Sequence, residues 1–504
     1  MKLEVKKIDI ESRDHIVMLN NSDADEIGLR SQDRLSIKYN DKTCTATVEI
    51  SKSLVEKGCI GLVEKVMESL RVESGATVTV KPTGRPESVE HIKEKLEGKE
   101  LSEHGIREII QDIVNQRLSD IELSAYVSGI YAQGMNNREI KYLINSMIET
   151  GETIEYDRHP VFDHHSIGGV PGNKITLLIV PIVASAGLMI PKTSSRAISS
   201  AGGTADIFET LADVDLSMGE IKEIAEDVGG TIAWGGAVNL APSDDMIIRA
   251  EYPLRIDPYP QVLASVLSKK KSAGAEYLVM DIPVGAKTKV ESIELGRKYA
   301  RDFVSLSEEI GIETSCALSY GGQPIGNAIG PAIEAKEALM ALEGKEVPSS
   351  LIEKSTTLAG MVLEQGGISE GKREAKKLLE SGKAMDKMKE IIERQRGDPE
   401  VNSDDIEIGG YSKKIYSDEE GYVDSINNEE IIKIVRAAGG PNSKKAGILL
   451  NKKKGDKAEK GEEKYTIFSE YESKLKEAVD LANHLKPLKV EGMILETHPD
   501  IKKI

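Results

Sequence analysis

Alternating apolar and polar positions dominate residues 1–82, as in Leu35-Ser36-Ile37-Lys38 and Thr77-Val78-Thr79-Val80. That is the period of a half-buried strand. Residues 29–38 line up with residues 72–81, each a turn feeding an alternating strand, and such a repeat predicts a small pseudo-symmetric β-barrel. The linker Pro82-Thr83-Gly84-Arg85-Pro86 ends the pattern. From residue 91 to 150 the period turns helical. Ile106, Ile109, Ile110, Ile113 and Val114 form one apolar stripe, and Tyr142, Leu143, Met147 and Ile148 a second. Four short helices fit, and Gly151 stops the last. From Pro160 to about Ile392 short apolar strands alternate with helical stretches and Gly-rich turns. The prediction is an α/β domain, a parallel or mixed sheet covered by helices, with ligands at the strand ends where the Gly clusters begin. Polar residues 395–405 mark a further boundary, and a small α+β domain follows Tyr411. The expected domains are 1–84, 88–158, 159–400 and 411–504.

Composition narrows the function. The 504 residues carry 66 Lys+Arg against 84 Asp+Glu, a formal charge of −18. An acidic chain opposes a polyanion, so no nucleic acid partner is expected. One Trp and four Phe offer few stacking platforms. Cys44, Cys59 and Cys316 are too few and scattered for a disulfide framework or a metal cluster, which suits a reducing compartment. The first twenty residues lack the apolar block of a signal peptide. The most apolar stretch, residues 175–190, is interrupted by Pro181 and Gly187 and falls short of the ~20 residues of a membrane span. A cytoplasmic protein without a membrane partner is expected. The charge run at 452–464 reads as a solvated β-turn, and Asp244-Asp245 as a solvated turn with no metal.

Three segments carry chemistry. The first is Asp163-His164-His165-Ser166-Ile167-Gly168-Gly169-Val170-Pro171-Gly172-Asn173-Lys174-Ile175-Thr176. A Gly-rich turn opening a helix presents backbone N–H groups and a dipole to an anion, and Ser166, Lys174 and Thr176 add donors. It is not a P-loop, since Asn173 stands before Lys174 where that motif needs Gly. The second runs from Lys192 through Ser194, Ser195, Arg196, Ala197, Ile198, Ser199 and Ser200 to Gly202-Gly203-Thr204. Its hydroxyls and single Arg suit a phosphate. In the third, Arg255 and Asp257 precede a helix on which Ser265 and Lys269, four apart, share a face. The lysines 269–271 alone read as a solvated helix end.

Together the three segments resemble the thymidine and pyrimidine-nucleoside phosphorylase family over residues 88 to 480. That family has Lys-His-Ser-Thr-Gly-Gly in the first loop, and Ser-Gly-Arg leading to Gly-Gly-Thr in the second. Its third segment holds an Arg, then a Ser and a Lys four apart. The N-terminal β domain, the doubled His164-His165 and the short Arg255-to-Ser265 loop with Asp257 look more like its archaeal branch, which acts on AMP.

The resemblance implies a type II nucleoside phosphorylase fold: an α-helical domain, joined by about 245–275, and a large α/β domain, with the site in a cleft that closes. It also implies a homodimer or higher homo-oligomer and no cofactor, phosphate being a co-substrate. Ser166, Thr176, Ser194 and Thr204 match the family's inorganic-phosphate hydroxyls. Arg255, Ser265 and Lys269 match the base-holding residues, and His165 the His beside base and sugar. His164 stands where the family has a phosphate-binding Lys. Pro283 replaces another Lys, leaving Lys287 or Lys289 to take a ligand. A nucleoside monophosphate needs a second anion pocket, for which residues 195–200 and Lys289 are the candidates, with Gly168 and Gly169 also against the nucleotide. The expected reaction is AMP + phosphate → adenine + ribose 1,5-bisphosphate, with CMP and UMP also accepted. Asp257 is the preferred general acid and His165 its rival. The alternatives are phosphorolysis of unphosphorylated pyrimidine nucleosides, a Mg²⁺-dependent phosphoribosyltransferase, and a nucleotide-binding regulator without turnover.

Overall fold

The computed structural model describes residues 1–12, 15–197 and 200–493. The chain divides into two compact units, Met1–Gly151 with Ala241–Ser268, and Glu152–Leu240 with Lys269–Ile504.

The first unit opens with strands β1 (Lys2–Lys7), β2 (Ile16–Asn20), β3 (Arg34–Tyr39), β4 (Lys42–Ser51), β5 (Cys59–Leu62) and β6 (Thr77–Thr83). They close into a barrel of order β1-β5-β2-β4-β3-β6. The repeat in the sequence is structural: β2 and β3 flank the helix Asn21–Glu26, as β5 and β6 flank Glu64–Leu70. Alternation sets the core, with Leu35, Ile37, Val78 and Val80 fully buried. Four helices follow, Ser88–Leu96, Glu103–Val114, Asp120–Gln133 and Asn137–Glu149. Capping boxes at Ser119/Glu122 and Asn136/Glu139 start the last two. Ile106, Ile109, Ile110 and Ile113 are buried in one stripe, and Leu143 and Met147 in the other. The helix Pro242–Leu254 also belongs to this unit.

In the second unit β7 (Phe162–Ser166), β10 (Tyr277–Val284) and β11 (Glu313–Tyr320) form a parallel sheet of order β11-β10-β7, and β8 (Ile190–Ser194) pairs in parallel with β9 (Gly230–Trp234). A parallel bridge, Val161↔Met189, joins the two sets. The apolar stretch is a core helix, Thr176–Ser185, buried along nearly all its length, followed by β8. No helix among the described residues is long and apolar enough to cross a membrane. A four-stranded sheet (Ala328–Ile329, Gly447–Leu450, Glu463–Ser469, Tyr411–Tyr416) and a three-stranded one (Lys457–Ala458, Gly421–Ile426, Leu488–Glu491) follow, with helices Asn428–Ala437 and Glu472–Leu485. One expectation fails here. The 452–464 run is not wholly solvated, because Lys453 reaches inward to donate to the carbonyls of Pro324 (2.5 Å) and Gly326 (2.7 Å). Burial pushes its ammonium down to about 8.

Candidate active site

Strand β7 ends at Ser166 and leads into a turn that only glycine can make. Gly168, Gly169 and Gly172 have φ of 89°, 84° and 77°. A Cβ on Gly169 would stand 2.9 Å from the Lys289 backbone nitrogen. The turn therefore lies directly on residues 288–289, and Lys289 is brought beside it. Ile175, at the N-cap of Thr176–Ser185, supplies no capping side chain, and the N–H groups of Leu177, Leu178 and Ile179 turn back to Lys174 O (3.0 Å) and Ile175 O (3.0 and 2.8 Å). Thr176 is buried in that first turn. Ser166 donates to Asp281 Oδ2 (2.8 Å) and accepts from Asn173 (3.0 Å). Its hydroxyl proton is thus engaged by Asp281. Asp281 also accepts from Ser319 (2.5 Å) and Lys354 (2.8 Å).

Lys174 is not a phosphate ligand. It is fully buried, and its three donors go to Ile325 O (3.1 Å), Ala328 O (2.9 Å) and Glu337 (2.6 Å).

The second loop follows β8. Ser194 is half-buried, with a long 3.3 Å bond to Ser195 O, and Thr204 is half-buried at the start of the helix Thr204–Phe208. Between them the loop folds around Asp206, which accepts from the N–H of Ala197 (2.7 Å) and of Gly203 (3.0 Å). Ala197 thus gives its N–H to a carboxylate. Arg196 also departs from the expected phosphate clamp. Its two terminal nitrogens meet Glu209 at 2.6 Å each, and one also meets Asp215 at 3.2 Å. The guanidinium lies 4.7 Å over the Trp234 ring, so Arg196 braces the loop while its neighbours present hydroxyls. Ser200 donates to Gly202 O. Ile198 and Ser199 lie outside the described residues.

In the first unit, Arg255 takes a left-handed conformation (φ 53°) where Pro242–Leu254 ends, and Arg255 and Asp257 are both exposed. Ser265, on the helix Tyr259–Ser272, donates to Asp244 (2.8 Å), which also holds Gln261 (3.0 Å). Asp244 is fully buried, so the solvated turn expected there is instead the anchor of Ser265.

In the second unit the lysines after Ser268 are not a solvated helix end either. Lys269 is half-buried, and Lys270 is buried with its Nζ 2.6 Å from Asp163. Lys192 approaches the same carboxylate at 3.6 Å. Burial and the ammoniums of Lys270 and Lys192 push His165 well below the usual imidazole range. It is therefore neutral at pH 7, able to hydrogen-bond but poorly placed to deliver a proton. His164 is held neutral by the same causes, and neither of its ring nitrogens has a partner among the described residues.

Sequence reasoning missed the residues that secure these loops from far along the chain. Lys444 bonds Asp206 (2.9 Å) and Glu209 (2.7 Å), Arg436 bonds Ser200 O (3.2 Å), and Asn428 bonds Gly321 O (3.0 Å). The only signal was a carboxylate two residues after Thr204 with no apparent partner.

Comparison with known proteins agrees with this geometry. Three family descriptions match: "Glycosyl transferase family, helical bundle domain" over residues 89–151, "Glycosyl transferase family, a/b domain" over 158–385, and "Pyrimidine nucleoside phosphorylase C-terminal domain" over 422–488. Anthranilate phosphoribosyltransferase from Thermus thermophilus shares the fold at 18% identity and a TM-score of 0.51, covering 61% of this chain and 99% of that one. AMP phosphorylase 1 of Archaeoglobus fulgidus is 50% identical over 499 residues, 99% of each chain. AMP phosphorylase of Methanosarcina acetivorans is 48% identical over 504 residues, again 99% of each. With identity of that order sustained from end to end, the chain belongs to the AMP phosphorylase family.

Proposed function

We propose that the protein catalyses AMP + phosphate → adenine + ribose 1,5-bisphosphate, and accepts CMP and UMP in place of AMP. The observation that carries this reading is a pair of Gly- and hydroxyl-rich turns at the carboxyl ends of neighbouring parallel strands, one after β7 and one after β8. Hydroxyls of both turns are available to inorganic phosphate, and the donors left over beside them are those a 5′-phosphate would take. Full-length similarity to proteins named AMP phosphorylase supports the same substrate over a free pyrimidine nucleoside.

Inorganic phosphate is held by Thr176, Ser194, Thr204 and, once its hydroxyl turns, Ser166. The 5′-phosphate is held by backbone and hydroxyl groups of the 195–200 loop, by the Gly168-Gly169 turn and by Lys289. Each hydrogen bond to a charged phosphate contributes about 1.5–3 kcal/mol, so several together fix the nucleophile in line, and catalysis is chiefly positioning. A phosphate oxygen bonds to C1′ of the ribose as the C1′–N9 bond breaks. The electron pair of that bond passes into the purine, and Asp257 delivers a proton to N7. Arg255, Ser265 and Lys269 hold the base. A neutral His165 serves as a hydrogen-bonding neighbour of the sugar. A cytoplasmic homo-oligomer is part of the same reading, and three unpaired cysteines suit its reducing compartment.

The test is turnover of AMP against adenosine, and UMP against uridine, with phosphate saturating. A preference for the free nucleosides rejects the proposal. Asp257→Asn should cut kcat about 10²–10⁴-fold with the KM for phosphate little changed.

A further inference from the structure

Directly behind the two phosphate turns lies a cluster that the mechanism above does not use. Asp163 on β7 is 1% exposed, and it faces two buried ammoniums, Lys270 at 2.6 Å and Lys192 on β8 at 3.6 Å. With both lysines protonated, the single carboxylate leaves one uncompensated positive charge out of water, a costly arrangement unless an anion sits nearby. Lys192 is two residues before Ser194 and His164 two before Ser166, so in each strand the pair shares a face. The two strands meet at the Val161↔Met189 bridge, and past it Lys192 approaches Asp163 and acts on His164. The Lys192 ammonium accordingly helps hold His164 neutral.

We propose that Lys192 is a positioning residue of the phosphate site, one that takes up a proton from solvent when an oxyanion binds at the Ser166/Ser194 edge and gives it back when the anion leaves. The proposal rests on the phosphorolysis reading for the location of that anion. Protonated, Lys192 completes a Lys192–Asp163–Lys270 bridge that ties β8, and so the Ser194 loop, to β7 and to the helix carrying Lys269.

Burial pushes the Lys192 ammonium down to about 7, with Asp163 opposing and Lys270 adding to the push. A bound dianion reverses that balance. Other titratable groups face the cluster from each neighbouring element: His164 and His165 on β7, Lys269 on its helix, and Tyr156, close to Asp163 and to Glu226 of the helix Met218–Val228. Burial, aided by the same ammoniums, holds both histidines neutral, and burial raises the Tyr156 hydroxyl. Lys192 is therefore the group poised to change charge near neutrality.

Sulfate is the probe, because it does not titrate near pH 7. Calorimetry in buffers of different ionisation enthalpy should show wild-type protein taking up about 0.7 proton per sulfate at pH 7.5, falling below about 0.2 at pH 6. Lys192→Met should abolish the uptake and raise the KM for phosphate about tenfold or more, with kcat changed less. Lys192→Arg, permanently charged, should bind sulfate without uptake. Its phosphate KM, taken relative to wild type, should improve as pH rises. Sulfate binding to wild type without proton uptake overturns the inference alone and needs no variant. Uptake that persists in a folded Lys192→Met also overturns it. Failure of both sulfate and phosphate to bind overturns it together with the phosphorolysis reading.

Discussion

Lys174→Met separates a ligand from a structural ion. Lys174 sits within a motif that reads as phosphate-binding, yet its ammonium is fully enclosed by two carbonyls and Glu337. Glu337 in turn accepts from the N–H groups of Asn327 (2.9 Å) and Ala328 (3.3 Å). Removing the ammonium leaves Glu337 charged, buried and only partly satisfied, and leaves the carbonyls of Ile325 and Ala328 without this donor. Breaking a buried pair on one side costs about 3–5 kcal/mol. For a domain of this size that corresponds to a Tm lower by roughly 10 °C. The double variant Lys174→Met/Glu337→Leu removes both charges and should recover about 1 kcal/mol or more, on the order of the coupling between contacting residues. The assay is thermal unfolding of the wild type, both single variants and the double variant, alongside the KM for phosphate measured well below each Tm. The reasoning is refuted if Lys174→Met melts within about 2 °C of wild type while its phosphate KM rises tenfold.

Two other outcomes follow from buried carboxyls. Glu334 is raised by burial to about 7 from an ordinary value of 4.5, so the fold favours its neutral form. That favour is fully present below pH 4.5 and is lost as pH rises through 7, at a cost of roughly 3 kcal/mol. Glu334→Gln should therefore unfold at higher urea than wild type at pH 8 and at nearly equal urea at pH 5, and parallel pH profiles for the two would contradict this. Ser265 gives its proton to Asp244, so its oxygen is left to accept a hydrogen bond from the exocyclic amino group of adenine or cytosine. Ser265→Ala should lower kcat/KM for AMP and CMP about tenfold, in line with one lost hydrogen bond, and for UMP much less. Equal losses on all three nucleotides would show that the hydroxyl does not read the base.

The parts of the fold legible in the sequence are those whose cause is local. Alternation at 35–38 and 77–80 is itself the burial pattern of β3 and β6, and Gly168-Gly169 announces a turn because positive φ excludes most other residues. The site was legible for the same reason where backbone shape makes it. Charge partners were not legible. Lys174 and Glu337 are 163 positions apart and Lys444 and Asp206 are 238 apart, and no local pattern tells whether a Lys beside a Gly loop faces a ligand or a distant carboxylate. Asp244 misled in the opposite direction, since two adjacent acids at a helix start suit solvent as well as they suit a buried anchor for Ser265.

The bonds that Lys444, Arg436, Asn428 and Lys453 send to residues 200–209 and 321–326 set a limit on how the protein can be divided. A gene shortened at residue 405 would encode both Gly-rich turns and the whole parallel sheet, yet it would strand Asp206 and Glu209 without the ammonium of Lys444. The C-terminal domain is thus a splint for the second turn, although it supplies none of the proposed substrate ligands. A chimera that borrows this domain from a relative would have to preserve those six bonds before it preserved anything else.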